Sequence, residues 1–311
     1  MLELKELSKT YGKVNALKDV SLTINEGESV VFVGPEGSGK STVFRIATAL
    51  TPPTGGTIVL DGKDLSNDSV AIREDIGFLP QTNPLYDEML LYDYLRYVAR
   101  LKGIARSHVR GSVKAVGELT GLIEQMNMVI GDMDKSMKRL VGLSQTLLGE
   151  PKILFVDAPY EGLDEEEIVP VKRLLQSIAK KHTLCIATEN LDTATALGQR
   201  LIVMNHGQVV SDASVDELLA QEAQVARFIL VVKGPKPEEA TEVVQKLKVV
   251  EQAERITTRK PEMTGLEITG KAGGNMKQVL KDMVAEQEWE LVRIGRKTLD
   301  LRGIYARLTG A

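Results

Sequence analysis

The chain has 311 residues, 43% of them hydrophobic and 26% charged, with a formal net charge of −4 at pH 7. That size allows one large or two unequal globular domains with a substantial core, and no run of ~18 apolar residues is present to span a membrane. The mild acidity, the absence of a basic block and the unpatterned opening MLELKELSKT argue against a nucleic-acid partner and a secretory signal, so any membrane contact is expected to run through another protein.

In chain order, 2–7 and 20–24 read as strands, and 28–33 is a further strand that ends in a glycine-rich turn. A helix is expected over 40–50, closed by Thr51-Pro52-Pro53, followed by strands at 57–60 and 76–79. From 87 to 148 the apolar spacing is helical. A continuous apolar strand at 153–156, a helix at 165–180 and a strand at 183–188 come next. The runs 201–204 and 208–210 flank Asn205-His206-Gly207, a hairpin signal, which makes His206 a turn residue. His108 and His182 stand isolated, and none of the three histidines suggests a metal site. The single cysteine, Cys185, lies in an apolar run and is expected to be a buried strand residue.

Beyond 220 the pattern changes to strand 227–233, helix 238–247, strands 253–257 and 266–270, helix 275–286 and strand 290–294, with a short helix at 301–308. That order predicts a small ferredoxin-like α+β domain. The expected division is therefore 1–222 and 223–311, with a helical subdomain at 87–148 inside the first part. The second part carries no motif that assigns it chemistry, and a dimerising or docking role is expected for it.

The strongest signal is Gly34-Pro35-Glu36-Gly37-Ser38-Gly39-Lys40-Ser41-Thr42, which satisfies the pattern of a phosphate-binding loop between a strand and a helix. The glycines at 34, 37 and 39 let backbone N–H groups curl around phosphate oxygens, and the helix N-terminus adds its positive dipole end. Lys40 is expected to reach the β- and γ-phosphates and Ser41 to ligate Mg²⁺.

With that loop in place, further stretches resemble the ABC ATPases over residues 1–220. Tyr11 sits where that family stacks an aromatic ring on adenine. Gly77-Phe78-Leu79-Pro80-Gln81 resembles the Q-loop, whose glutamine contacts Mg²⁺ beside the permease. Ile153-Leu154-Phe155-Val156-Asp157 matches Walker B, whose aspartate reaches Mg²⁺ through water, and Glu161-Gly162-Leu163-Asp164 resembles the D-loop. The stretch 83–99 looks like exporter subunits of the gliding-motility and multidrug (ABC-2) branch. The resemblance implies a P-loop NTPase fold, ATP and Mg²⁺ as cofactors, and a place on the cytoplasmic face of a membrane. Its implied partners are transmembrane permease subunits and a second ATPase subunit, as a homodimer or heterodimer.

Three departures stand out against the family. Asp157 is followed by Ala158, where the family has the glutamate that polarises the attacking water. Glu189 stands where the family has its switch histidine. Met133-Asp134-Lys135-Ser136 takes the place of the signature L-S-G-G or L-S-K-G, which grips the γ-phosphate across the dimer. A missing general base is worth typically ~10²–10⁴-fold in rate, with Glu161 the one neighbouring substitute. The expectation is an ATP-binding transporter subunit with weak hydrolysis of its own, acting as the structural or regulatory half of a dimer. A working ATPase driving export is the alternative, and a soluble ABC protein acting on ribosomes or DNA is the third.

Overall fold

The computed structural model describes residues 1–64, 74–258, 260, 262–270 and 275–310. They form two compact units, Met1–Val215 joined by the residues from Leu308 onward, and Asp216–Arg307. Among the described residues no helix is long and apolar enough to cross a membrane.

The first unit opens with the antiparallel pair β1 (Leu2–Tyr11) and β2 (Val14–Ile24). Both are longer than the sequence predicts, because register shifts at Leu4/Leu7, Leu7/Lys9 and Lys9/Thr10 break the two-residue alternation. With β4 (Gly55–Leu60) and β5 (Lys63–Asp64) they form a sheet in the order β2-β1-β4-β5. The second sheet holds β3 (Ser29–Val33), β6 (Ile76–Leu79), β7 (Ile153–Asp157), β8 (Thr183–Thr188), β9 (Arg200–Asn205) and β10 (Gln208–Ala213), in the order β10-β9-β3-β8-β7-β6. Its strands run parallel except for the edge strand β10. β3, β7 and β8 are buried along their whole length, which is why they read as unbroken apolar runs. Cys185 is one of these buried strand residues.

Helix α1 (Lys40–Ala47) carries the glycine-rich loop at its N-terminus and buries Val43, Phe44, Ile46 and Ala47. One core joins these side chains to Leu2, Leu4 and Leu60 of the first sheet and to Phe32, Phe155 and Cys185 of the second. Phe44 meets Phe32 and Phe155 edge-on, with centroids 5.3 and 5.0 Å apart. The helix stops earlier than the expected residue 50: Thr48 caps it, donating its hydroxyl to the Phe44 carbonyl at 2.8 Å, and Ala49 turns to φ 55°.

Helices α2 (Leu91–Leu101), α3 (Arg106–Thr120) and α4 (Lys135–Leu147) fill the stretch expected to be helical. α5 (Glu165–Ile178) starts from a capping box between Asp164 and Glu167. α6 (Leu191–Leu197) follows β8 and escapes sequence reading because seven residues carry too little periodicity. β9 and β10 are joined by His206 and Gly207, both at positive φ (46° and 80°), the tight hairpin turn the sequence signals.

In the second unit, α7 (Val215–Gln224) leads into β11 (Ala226–Lys233), α8 (Pro237–Gln245), β12 (Val250–Ile256), β13 (Met263–Gly270), α9 (Met276–Glu286), β14 (Glu290–Arg296) and α10 (Leu301–Thr309). The sheet is antiparallel in the order β12-β13-β11-β14, the split β-α-β arrangement of a ferredoxin-like fold. Leu230, Val232, Leu266 and Ile268 pack with Ala240, Val244, Leu280 and Val284 to form its core. Glu222, only 2% exposed, accepts from Arg227 Nε at 2.6 Å and from Arg307 Nη1 at 2.9 Å, so its buried charge is paired twice.

Because Phe44 ties α1 to β3 and β7 of the second sheet, Phe44→Ala should cost the first unit about 3–5 kcal/mol. Equilibrium unfolding checks this, with the first unit's midpoint falling and the second unit's unchanged.

Candidate functional site

In the second sheet β8 lies between β3 and β7, with Val33 beside Thr188 and Asp157 beside Ala187. The segments that follow all three strands therefore emerge at one rim, where parallel sheets place their ligand sites. The segment after β3 is the glycine-rich loop. Gly39 sits at φ 104°, and a Cβ there would meet the Ala16 carbonyl oxygen at 2.7 Å, so no larger residue fits. The β9–β10 turn supports the loop: Gly207 N–H donates to Ser38 O at 3.1 Å, and Gly207 O accepts from Lys18 N–H at 2.9 Å.

Lys40 curls back along the loop. Its Nζ donates to Gly34 O at 2.7 Å, to Pro35 O at 2.8 Å and to Ser38 Oγ at 3.1 Å. Burial pulls this ammonium below the ordinary lysine pKa, against the upward pull of the Glu189, Asp157 and Glu36 carboxylates.

An open cleft of about 930 Å³ lies in front of the loop. Gly37, Gly39, Lys40, Ser41 and Thr42 line it from the loop side, and Tyr11, Gln81, Asp157, Ala158, Glu161 and Glu189 line it from other segments. Gly34 and Ser38 are not in its lining, and Ser38 lies buried as a support for Lys40. Tyr11 is 43% exposed, and the Lys9 ammonium stands 5.0 Å from its ring centroid. His206 also lines the cleft, a placement its turn motif gives no hint of.

Asp157 ends β7 and is buried, with the Ser41 hydroxyl hydrogen-bonded to its carboxylate. Burial raises its pKa above the usual carboxylate value; the Ser41 bond and the charges of Lys40, Arg139 and Arg45 oppose this. Ser41, Asp157 and Gln81 present oxygen donors to one cleft, and a buried carboxylate beside a hydroxyl fits a hard divalent cation such as Mg²⁺.

Arg139 of α4 is the residue that sequence reading misses. Its guanidinium donates to Pro159 O at 3.0 Å, to Pro80 O and Gln81 O at 3.1 Å each, to Asp157 O at 2.7 Å and to Ala158 O at 2.8 Å. One buried side chain thus ties the Gln81 segment to the turn after β7, where Ala158 is held at φ 43°. Burial pulls its pKa down to about 10, although Asp157 and Glu161 work in the other direction. A lone arginine in an amphipathic helix carries no sequence signal of such a role, because its partners are all backbone carbonyls.

Residues 133–136 do not line the cleft. Met133 is buried, and the Asp134 carboxylate caps α4 by accepting from Met137 N–H at 2.7 Å. Lys135 Nζ donates to Gly162 O at 3.2 Å, and Ser136 is buried with its hydroxyl making no hydrogen bond among the described residues.

A parallel sheet ending in a glycine-rich loop, with a buried lysine, a half-buried serine and a buried aspartate around one cleft, defines a P-loop nucleotide-binding protein. The family model described as ABC transporter matches residues 17–161. The uncharacterized ABC transporter ATP-binding protein YxlF of Bacillus subtilis (strain 168) is 32% identical over 233 residues, 75% of this chain and 77% of that protein. The Nod factor export ATP-binding protein I of Rhizobium sp. (strain N33) is 25% identical over 99% of this chain and 97% of its own length. Among solved structures, the dimeric post-hydrolysis state of the ATP-binding cassette MJ0796 bound to ADP and Pi superposes with a TM-score of 0.62 at 27% identity, covering 69% of this chain and 98% of that one. The chain belongs to the ABC transporter ATP-binding proteins and is a nucleotide-binding subunit of that class.

Two substitutions test this site. Arg139→Met removes five hydrogen bonds to backbone carbonyls and should cost about 3 kcal/mol or more, with weaker Mg-nucleotide binding in direct titration that Arg139→Lys partly restores. For Asp157 the sign follows from its raised pKa. A carboxyl whose folded value lies above its unfolded one contributes stability at low pH and loses it as pH rises through the folded value. Ionised Asp157 therefore weighs against folding at neutral pH. Asp157→Asn should raise the melting temperature of the nucleotide-free protein at pH 7, and less so at acidic pH, while weakening Mg-nucleotide binding.

Proposed function

We propose that the chain binds Mg-ATP in this cleft and hydrolyses it little on its own, serving as the structural or regulatory half of an ATPase dimer on an exporter. The carrying observation is Ala158, which lines the cleft directly after Asp157 and has no group to accept a proton. Removing a general base lowers rate by typically ~10²–10⁴-fold. Binding needs less: Lys40 for the phosphates, Tyr11 beside the base, and Ser41, Gln81 and Asp157 for Mg²⁺, which when bound neutralises phosphate charge.

The arithmetic of a dimer supports the regulatory part. Residues 133–136 lie outside this chain's cleft, so a part for them in nucleotide contact would be played across an interface with a second ATPase subunit. There Asp134 would bring an anion and Ser136 a side chain, where close backbone approach favours glycine. A homodimer would lack base and signature at both sites; a heterodimer with an intact relative would be asymmetric. The dimeric MJ0796 cassette supports a dimer, and similarity to the Nod factor export ATP-binding protein I supports the export direction. Transmembrane permease subunits complete the assembly on the cytoplasmic face of a membrane, with 1–222 as ATP-binding domain and 223–311 as an accessory docking or dimerising domain.

A second reading, a working ATPase, draws on one observation: Glu161 also lines the cleft. Phosphate release separates the two. We expect wild-type turnover near background, and an increase of about 10²-fold or more when Ala158→Glu, Asp134→Ser and Glu189→His are combined. Robust wild-type turnover that both Lys40→Ala and Glu161→Gln abolish would install the second reading instead.

A further inference from the structure

We infer that this cleft prefers a nucleoside diphosphate over the triphosphate, with the Glu189 carboxylate holding the ground where a third phosphate's charge would have to sit. The inference rests on the reading that the loop binds nucleotide, and it names which one.

The register of the sheet sets the geometry. Thr188, the last residue of β8, pairs with Val33, and Ala187 pairs with Asp157, so Glu189 emerges between the phosphate-binding loop and the turn at Ala158. Its backbone is fixed on both sides. Thr188 Oγ1 accepts from Asn190 N–H at 3.1 Å, and Asn190 Oδ1 caps α6 by accepting from Thr193 N–H at 2.9 Å. Glu189 lines the cleft with Lys40, and it is the largest of the carboxylate influences that favour the lysine's charge. Glu36, Asp157 and Glu161 line the same space, and Lys18 and Lys40 are the lysines among the described residues there.

A diphosphate on the loop meets the backbone N–H groups, the start of α1 and Lys40. A third phosphate extends toward the rim, adds roughly one further negative charge, and approaches a carboxylate that offers it no donor. Like charges across a partly solvated cleft weaken binding by a modest factor that salt screens. The preference is therefore electrostatic and depends on ionic strength. As a working scale, a repulsion of this kind amounts to about threefold in affinity.

Isothermal titration of the full chain with Mg-ADP and with a non-hydrolysable Mg-ATP analogue tests this at low and at high salt. We expect wild type to bind Mg-ADP the tighter, about threefold or more at low salt, with the gap narrowing as salt rises. Glu189→Gln, which keeps size and removes charge, should close the gap, with triphosphate binding changing more than diphosphate binding. Thermal melts confirm that the variant folds. An equal ADP-to-ATP ratio in wild type and Glu189→Gln overturns the inference while nucleotide binding itself stands. Binding of neither nucleotide, with Lys40→Ala indistinguishable from wild type, overturns both.

Discussion

The register of three parallel strands is the constraint on which this molecule depends. β3, β8 and β7 run side by side in the order that brings Val33, Thr188 and Asp157 to one rim. Much of the cleft is lined by residues at or shortly after those strand ends. Gly34 to Gly39 follow the first, Glu189 the second and Ala158 the third. A one-residue slip in any of these pairings would turn its side chains to the opposite face of the sheet. The fully buried strands and the edge-on contacts of Phe44 with Phe32 and Phe155 hold that register.

The site built on this frame gathers buried charge at a cost in solvation. Lys40, Asp157 and Arg139 are all buried, and burial perturbs each pKa against its charged form. None is left unpartnered: Lys40 rests on loop carbonyls, Asp157 on the Ser41 hydroxyl, and Arg139 on five carbonyls from two segments. Such groups are tolerated when every donor is satisfied. The arrangement also links the parts of the cleft. α4, which begins beside residues 133–136, reaches through Arg139 to the Gln81 segment and to the Ala158 turn. A change at the start of that helix therefore has a covalent and hydrogen-bonded route to the nucleotide cleft.

The second unit follows a different economy. Its ferredoxin-like sheet is short and antiparallel, its core is aliphatic and sulfur-containing, and its buried polar groups include Glu222, paired with Arg227 and Arg307. Similarity to the Nod factor export relative runs through this unit as well as the first.

What the sequence by itself determined is local. The phosphate-binding loop is legible because its chemistry is written in consecutive residues, 34–42, and Asp157 because it ends an unmistakable apolar strand. The hairpin at His206 and the strand–helix order of the second unit are legible for the same reason: short-range turn chemistry and periodicity suffice. β1 and β2 extend beyond what their alternation signals because bulges interrupt it, and α6 is too brief to carry a periodic signal. Tertiary structure alone decided which segments share the cleft, since that depends on strand order between residues far apart in sequence. It placed Glu161, Glu189 and His206 beside the loop and left 133–136 outside it. It also turned Arg139, an ordinary helix residue by pattern, into the tie between two loops, because hydrogen bonds to backbone carbonyls leave no trace in the identity of the residues that accept them.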